Sequence, residues 1–398
     1  MTNKEWVERG EQALVGNYKR FPVVMTRGQG CRLWDADGRE YLDFLSGIAV
    51  CALGHDHPEV TAAIREQAGK ILHVSNLFYT EPQTELAELL VGHSFADRVF
   101  FANSGAEANE AAMKLARIAS PEGKFEVISL LGSFHGRTLA AVAATGQPKF
   151  HQGFEPMPQG FTHVAVGDIE DLKRRIGPQT CAILCEPVQG ESGVRPLERE
   201  YLRQLRELCD QNGLFLIFDE VQTGLGRCGT LFAYEETGVT PDIMTLAKAL
   251  GNGLPISAML TTEKIAAAFV PGTHASTFGG NPVAAAAGRV VLRRLLSPGF
   301  LEGVREKSAH FVAGLEALVK KHPRWAAGVR GRGLLLGLVL TPEGMEQGGD
   351  IVNRMFARGM LINFAGGQAL RFVPPLIVSK EEIDRVLREL DQVLAELG

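Results

Sequence analysis

The sequence predicts an α/β protein, in which a mostly parallel sheet is covered by helices on both faces and joined to a smaller α+β unit. Three observations carry this. Between residues 98 and 219, short apolar runs alternate with amphipathic helical stretches. Several of those runs are apolar throughout, as strands buried on both faces are. After Asn281 the pattern changes to long helical periods. A chain of 398 residues has enough material for one large domain and a smaller one.

Taken in order, residues 30–44 read as a hairpin turning at Asp37-Gly38, which is expected to pack with the carboxyl-terminal part. His55-Asp56-His57 invites a metal reading. Pro58 and the helix-like 59–69 favour a helix entry instead, and with no matching ligand cluster elsewhere no metal is expected. Strands are expected at 98–101, 125–130, 164–166, 181–185 and 214–219. Helices are expected at 106–119, 138–145, 171–176 and 200–211, the last stopped by Gly213. Helices at 282–296 and 301–321, a strand at 333–340 and an amphipathic helix at 380–397 complete the chain. The expected division is 1–50 joining the small domain, 51–290 as the large domain and 291–398 as the carboxyl-terminal small domain.

Composition excludes some classes of function. The formal net charge of −5 offers no basic footprint for nucleic acid or an anionic membrane. The first residues carry charges where a signal peptide needs an apolar stretch, and no apolar run reaches transmembrane length. A cytoplasmic enzyme acting on small molecules is the expectation. The six cysteines form no metal-type CxxC pair and are expected to be reduced and mostly buried.

The chemistry concentrates around two segments. Lys248 is the single amine in the run 243–253, which is nearly apolar and then breaks at Gly251 and Gly253. Such a lysine is costly unless its amine is neutral or covalently engaged. Upstream, 214–222 reads as a buried strand that presents Asp219 and, three residues on, Gln222. Each alone fits a core strand with a solvated end and a snorkelling lysine. Together they match what pyridoxal phosphate chemistry requires, namely an amine for the aldehyde and an acid that keeps the pyridine nitrogen protonated.

At 101–109 a strand ends and a helix begins at Ser104-Gly105, a place where free amides and the helix dipole favour an anion. An ordinary N-cap serine explains the same residues. Gly224-Leu225-Gly226-Arg227-Cys228-Gly229 matches a dinucleotide pattern, which would make the chain a nicotinamide-dependent oxidoreductase. The acids Asp219-Glu220 and the lack of a clear helix after it count against that reading. Phe134-His135-Gly136-Arg137 offers a ring to stack and a guanidinium to clamp a carboxylate. Arg371 sits in an apolar strand and needs a partner.

The ordered set of 104–108, 134–138, 186–191, 219–224, Lys248 and 276–282 resembles the class III (ω-amino acid) aminotransferases along essentially the whole chain. The resemblance implies fold type I, with a seven-stranded sheet in the large cofactor-binding domain, pyridoxal 5′-phosphate as cofactor, and a homodimer with shared active sites. It assigns Lys248 to the cofactor aldehyde and to proton transfer, Asp219 to the pyridine nitrogen, and Gln222 to the phenolic oxygen. Ser104, Gly105 and Ala106 go to the phosphate, joined by Thr277 from the partner, and Phe134 goes to the ring face. Tyr18, Ile48, His135, Arg137, Glu191, Ser276 and Arg371 are implied to face substrate, with Glu191 neutralising Arg371 when no carboxylate is bound there. Residues 47–55 and 73–78 are most similar to members that act on N-acetylornithine with 2-oxoglutarate. Succinylornithine, succinyl-diaminopimelate, carrier-linked lysine intermediates, ornithine and 4-aminobutyrate are the alternatives within the class. Two departures stand out. Ile48 replaces an aromatic residue of ornithine aminotransferases, which favours an acylated amine, and Ser192 replaces a usual glycine or alanine beside the Glu191 gate.

Overall fold

The computed structural model describes residues 1–398. Its centre is a sheet of β1 (Arg98–Ala102), β2 (Glu126–Leu130), β3 (Phe161–Val164), β4 (Thr180–Cys185), β5 (Phe215–Asp219), β6 (Ile243–Leu246) and β7 (Ser257–Thr261), in the order β1-β7-β6-β5-β4-β2-β3. Strands β2 to β6 pair in parallel, and β7 is antiparallel to both β6 and β1.

Side-chain alternation along these strands feeds two separate layers. Ile183, Cys185, Leu216 and Phe218 pack with Leu202, Leu205 and Cys209 of the helix Arg199–Asn212. Ala182, Leu184, Ile217 and Ile243 pack with Ala112, Leu115 and Ala116 of the helix Gly105–Ala119 on the other face. The continuous apolar runs are therefore the direct result of cover on both sides.

Two smaller sheets flank this body. Met25–Gln29, Arg32–Asp35 and Glu40–Asp43 form an antiparallel meander, and Met360–Leu361 adds to it in parallel beside Glu40–Asp43. This joins the amino-terminal hairpin to the carboxyl-terminal part. Ala326–Arg332, Leu335–Leu340, Ala369–Phe372 and Asn363–Ala365 make the other, antiparallel throughout. The helix Phe300–Lys321 lies against it and against the last helix, Lys380–Ala395.

The helix Pro282–Leu295 runs unbroken through position 290 and packs on the helices Pro58–Ala68 and Glu81–Gly92. A stripe of alanines from Ala284 to Ala287 lets those helices approach closely. No helix is long and apolar enough to cross a membrane. All six cysteines are free, and five of them are buried.

Candidate active site

Strands β1, β2, β4, β5 and β6 point the same way, so the segments that follow them converge on one edge of the sheet, where α/β folds place their ligands. A cavity of about 360 Å³ opens there, lined by Ser104, Gly105, Ala106, Phe134, Glu186, Glu191, Asp219, Val221, Gln222 and Lys248 among others. Five loops far apart in sequence thus supply one site.

Ser104 caps the helix Gly105–Ala119 through a capping box, in which its hydroxyl accepts from the Glu107 amide while Glu107 accepts from the amides of Asn103 and Ser104. The amides of Gly105 and Ala106 remain as the free donors of that helix end. Gly105 is required at this point, because a Cβ would stand 2.8 Å from Val221.

Asp219 is buried at the end of β5, and three donors hold its carboxylate. Asn109 Nδ2 donates to Oδ2 at 2.7 Å, His135 Nδ1 meets the same oxygen at 2.8 Å, and the Val221 amide donates to Oδ1 at 3.0 Å. Thr245 fixes Asn109 in turn by donating to its Oδ1 at 2.7 Å. The acid is thus aimed before any ligand arrives.

Lys248 follows β6 at a left-handed φ of 40°, a conformation that ordinary side chains avoid. Burial pulls its amine down to about 8, with Arg371 acting in the same direction and Glu191, Asp219 and Glu186 opposing. A fraction of the amine is therefore free as a nucleophile near neutral pH.

Arg371 is 1% exposed and pairs with Glu191 at 2.6 Å. Its Nη1 also donates to the Gly190 carbonyl at 2.9 Å and to Gln222 Oε1 at 3.3 Å, and its Nε donates to Asn363 at 3.2 Å. Gln222 Nε2 donates to Glu191 Oε1 at 3.1 Å. Burial alone would raise Glu191, yet the charges of Arg371 and Lys248 and these hydrogen bonds hold its carboxyl below the usual range. Gly190 admits this arrangement, since a Cβ there would overlap Gln222 Oε1.

The pattern of the family described as aminotransferase class-III matches residues 14–394. The chain belongs to the class III aminotransferases. This aminotransferase is 52% identical to an acetylornithine aminotransferase of Myxococcus xanthus over 95% of its own length and 94% of that protein's. A second, from Caldanaerobacter subterraneus, is 49% identical over 96% and 98% of the two chains. Among solved structures, N-acetylornithine aminotransferase of Stenotrophomonas maltophilia matches at a TM-score of 0.84 with 40% identity, covering 98% and 99% of the two chains. Ornithine aminotransferase of Toxoplasma gondii matches at 0.93 with 32% identity, over 100% and 96%.

Not every residue singled out from the sequence lies in this aminotransferase's cavity. His135, implied to face substrate, does line the cavity, buried with its ring nitrogen 2.8 Å from the Asp219 carboxylate. Arg137 is exposed at the rim, its guanidinium 4.2 Å from the Phe150 ring centre and 5.4 Å from that of Phe134. Ser276 Oγ accepts from Asn103 Nδ2 and from the Gly279 amide, so it orders its own loop. Thr277 is exposed beside a groove lined by Ser75, Asn76, Leu77 and Tyr79. Tyr18 is 67% exposed on the amino-terminal segment, and Ile48 is 46% exposed. The Gly224–Gly229 stretch leads to a helix of only five residues, Ala233–Thr237, whose first amides bond to the Glu220 carboxylate. No pyrophosphate fits against that acid.

Sequence reasoning also passed over residues that matter. Asn109, Val221 and Glu186 all line the cavity. The available signal for Asn109 was a polar residue in the buried alanine stripe of its helix, and for Glu186 an acid directly after the apolar run 181–185.

Proposed function

We propose that this aminotransferase uses pyridoxal 5′-phosphate to move the terminal amino group of N-acetyl-L-ornithine to 2-oxoglutarate, giving N-acetyl-L-glutamate 5-semialdehyde and L-glutamate. The observation that carries the reading is the pairing of buried Arg371 with Glu191, a half-buried residue that lines the same cavity as Lys248 and Asp219. The relatives described above, two of them acetylornithine aminotransferases of about half identity, support the substrate.

When bound, the cofactor supplies an aldehyde for the amine and an aromatic ring that takes up electrons from the reacting carbon. The chain's residues do the rest. The amides of Gly105 and Ala106 receive the phosphate at the helix end. Phe134 and Val221 would supply apolar surface to a planar ring, and Asp219 would be the acid that favours a proton on its nitrogen. Lys248, whose amine burial leaves partly unprotonated, would be the residue that holds the cofactor's aldehyde and the base available to the reacting carbon. Arg371 receives the α-carboxylate of glutamate once Glu191 leaves it, and Glu191 covers Arg371 when the bound amine has no carboxylate at that end. Arg137 at the rim is placed to clamp the distant carboxylate of either substrate.

The same reading makes the working unit a homodimer. Leu72, Leu77, Phe78, Tyr79, Val270 and Phe278 are exposed large apolar residues on two neighbouring segments, and Thr277 stands among them. A second copy covering this band buries it and brings Thr277 to the partner's phosphate site.

Steady-state kinetics decide the substrate. Ile48, half exposed on this chain near the lining residue Val50, is the residue that would face the substrate's amino-acid end on this reading, with an apolar surface against which a charged α-ammonium is costly and an acylated nitrogen is not. With 2-oxoglutarate as acceptor, kcat/KM for N-acetylornithine is expected to exceed that for ornithine by about tenfold or more, a difference of about 1.4 kcal/mol. Equal values would remove N-acetylornithine as the substrate.

A further inference from the structure

The floor of the cavity holds two carboxyl groups. Strands β4 and β5 are parallel neighbours with Cys185 opposite Phe218, so the residues that follow, Glu186 and Asp219, emerge side by side. A carboxyl oxygen of each and a ring nitrogen of His135 lie within 4.8 Å of one another. Both acids are buried, at 8% and 4% exposure.

Their surroundings differ. Asp219 accepts from Asn109, His135 and Val221, whereas Glu186 accepts one hydrogen bond, from the Phe134 amide to Oε1 at 3.2 Å. Glu186 Oε2 is buried without any partner in the chain. A carboxylate with an unpartnered buried oxygen beside a second carboxylate is a costly arrangement, and a proton on the less supported acid relieves it. The charged groups around Glu186 are Asp219 at the end of β5, Glu191 from the 188–196 ribbon, and Lys248 after β6, with His135 from the loop after β2. Glu191 is already paired with Arg371, and of the remaining charges Asp219 acts on Glu186 more strongly than Lys248 does.

We propose that Glu186 is a positioning residue held as a neutral carboxylic acid, which keeps the negative charge of the pair on Asp219. Burial first, and then repulsion from Asp219, push Glu186 well above the ordinary carboxyl range, in agreement with this assignment. The inference rests on the reading of Asp219 as the partner of the cofactor's ring nitrogen and adds the residue that fixes where the charge of the pair resides.

The test uses the full-length protein with and without pyridoxal phosphate. The infrared difference spectrum between wild type and Glu186→Gln at neutral pH, recorded without cofactor, is expected to show a protonated-carboxyl stretch that the variant lacks. This readout does not depend on what the cavity binds. Its absence would overturn the proposal. Absorbance titration with pyridoxal phosphate supplies the second readout. Glu186→Gln, permanently neutral and of the same shape, is expected to keep Kd within about threefold and to leave the pH profile of the cofactor band in place, whereas Asp219→Asn weakens binding by about thirtyfold or more. Loss of affinity in Glu186→Gln equal to that in Asp219→Asn would show that Glu186 acts as an anion. A carboxyl band together with normal binding by Asp219→Asn would instead sink the role of Asp219 while keeping the proton on Glu186. Should Glu186→Gln fail to fold, Glu186→Met, neutral and flexible enough to fill the site, serves for the infrared assignment.

Discussion

Lys248 combines a strained backbone with a suppressed charge, and both follow from its place immediately after a buried strand. A left-handed φ at a non-glycine residue costs on the order of 1–3 kcal/mol, and here it aims the amine into the cavity. Because burial brings the amine to about 8, the rate at which protein freed of cofactor attaches pyridoxal phosphate is expected to rise with pH through that value and level off above it. Stopped-flow absorbance across that range checks this, and Lys248→Ala is expected to abolish the phase. Glu191 carries the second expectation at this scale. Its removal frees Arg371 for the glutamate carboxylate, so Glu191→Ala is expected to speed the glutamate half-reaction. The same change slows the acetylornithine half by on the order of tenfold, the size of one lost charge-assisted hydrogen bond. Single-turnover rates for each half separate the two, and equal slowing of both would make Glu191 structural. Lys248, Asp219 and Arg371 were legible in the sequence because charged groups in apolar runs are expensive. The support of Asp219 was not, since Asn109, His135 and Thr245 come from three distant segments that only the fold brings together.

Among the elements, the junction of the Glu40–Asp43 strand with the turn ahead of helix Pro58–Ala68 has its own pH dependence. His55 Nε2 pairs with the buried Asp43 at 2.8 Å, and chiefly this hydrogen bond raises the imidazole from 6.5 to about 10. A base whose folded pKa is raised gives stability that is complete below its unfolded value and lost as pH climbs through the folded one. Unfolding free energy is therefore expected to decline between about pH 6.5 and 10, and His55→Gln is expected to flatten that decline. Urea melts at several pH values measure both, and an unchanged slope in the variant would assign the pH dependence elsewhere. The sequence had suggested helix entry at His57-Pro58, and that is how the segment folds, but the partner of His55 lies on a strand that periodicity cannot pair with it. Strands β6 and β7 escaped notice for a related reason, because wholly buried runs of four and five residues carry no period and their pairing is non-local. The helix Pro342–Ala357 was hidden by its glycines. A Cβ at Gly344 would meet the Trp325 carbonyl at 2.2 Å and one at Gly348 would meet Phe364 at 2.6 Å, so packing demands residues that local propensity disfavours.

On the scale of the whole molecule, one chain leaves two things unfinished: an exposed apolar band and a threonine that stands outside its own cavity. Leu77 at 83% exposure, Phe78 at 66% and Tyr79 at 97% lie on a segment that Asn76 ties to the 276–279 loop by donating to the carbonyls of Ser276 and Gly279. Apolar residues exposed in that density are a poor end state for a free chain in water. If a two-fold partner covers them, the hydroxyl of Thr277 serves the neighbour's phosphate rather than its own, and the two sites become interdependent. Subunit mixing tests this directly. Thr277→Asp places a negative charge against a phosphate, and Lys248→Ala removes the essential amine, so each variant alone is expected to be nearly inactive. In a hybrid dimer, the subunit that keeps Lys248 receives an intact Thr277 from the Lys248→Ala subunit, and one complete site forms. Unfolding and refolding an equal mixture makes half of the dimers hybrids with one good site each, so about a quarter of wild-type activity is expected to return. Were Thr277 to act within its own subunit, every site in the mixture would carry one of the two defects. Activity would then stay at the level of the parents, and the shared site would have to be given up.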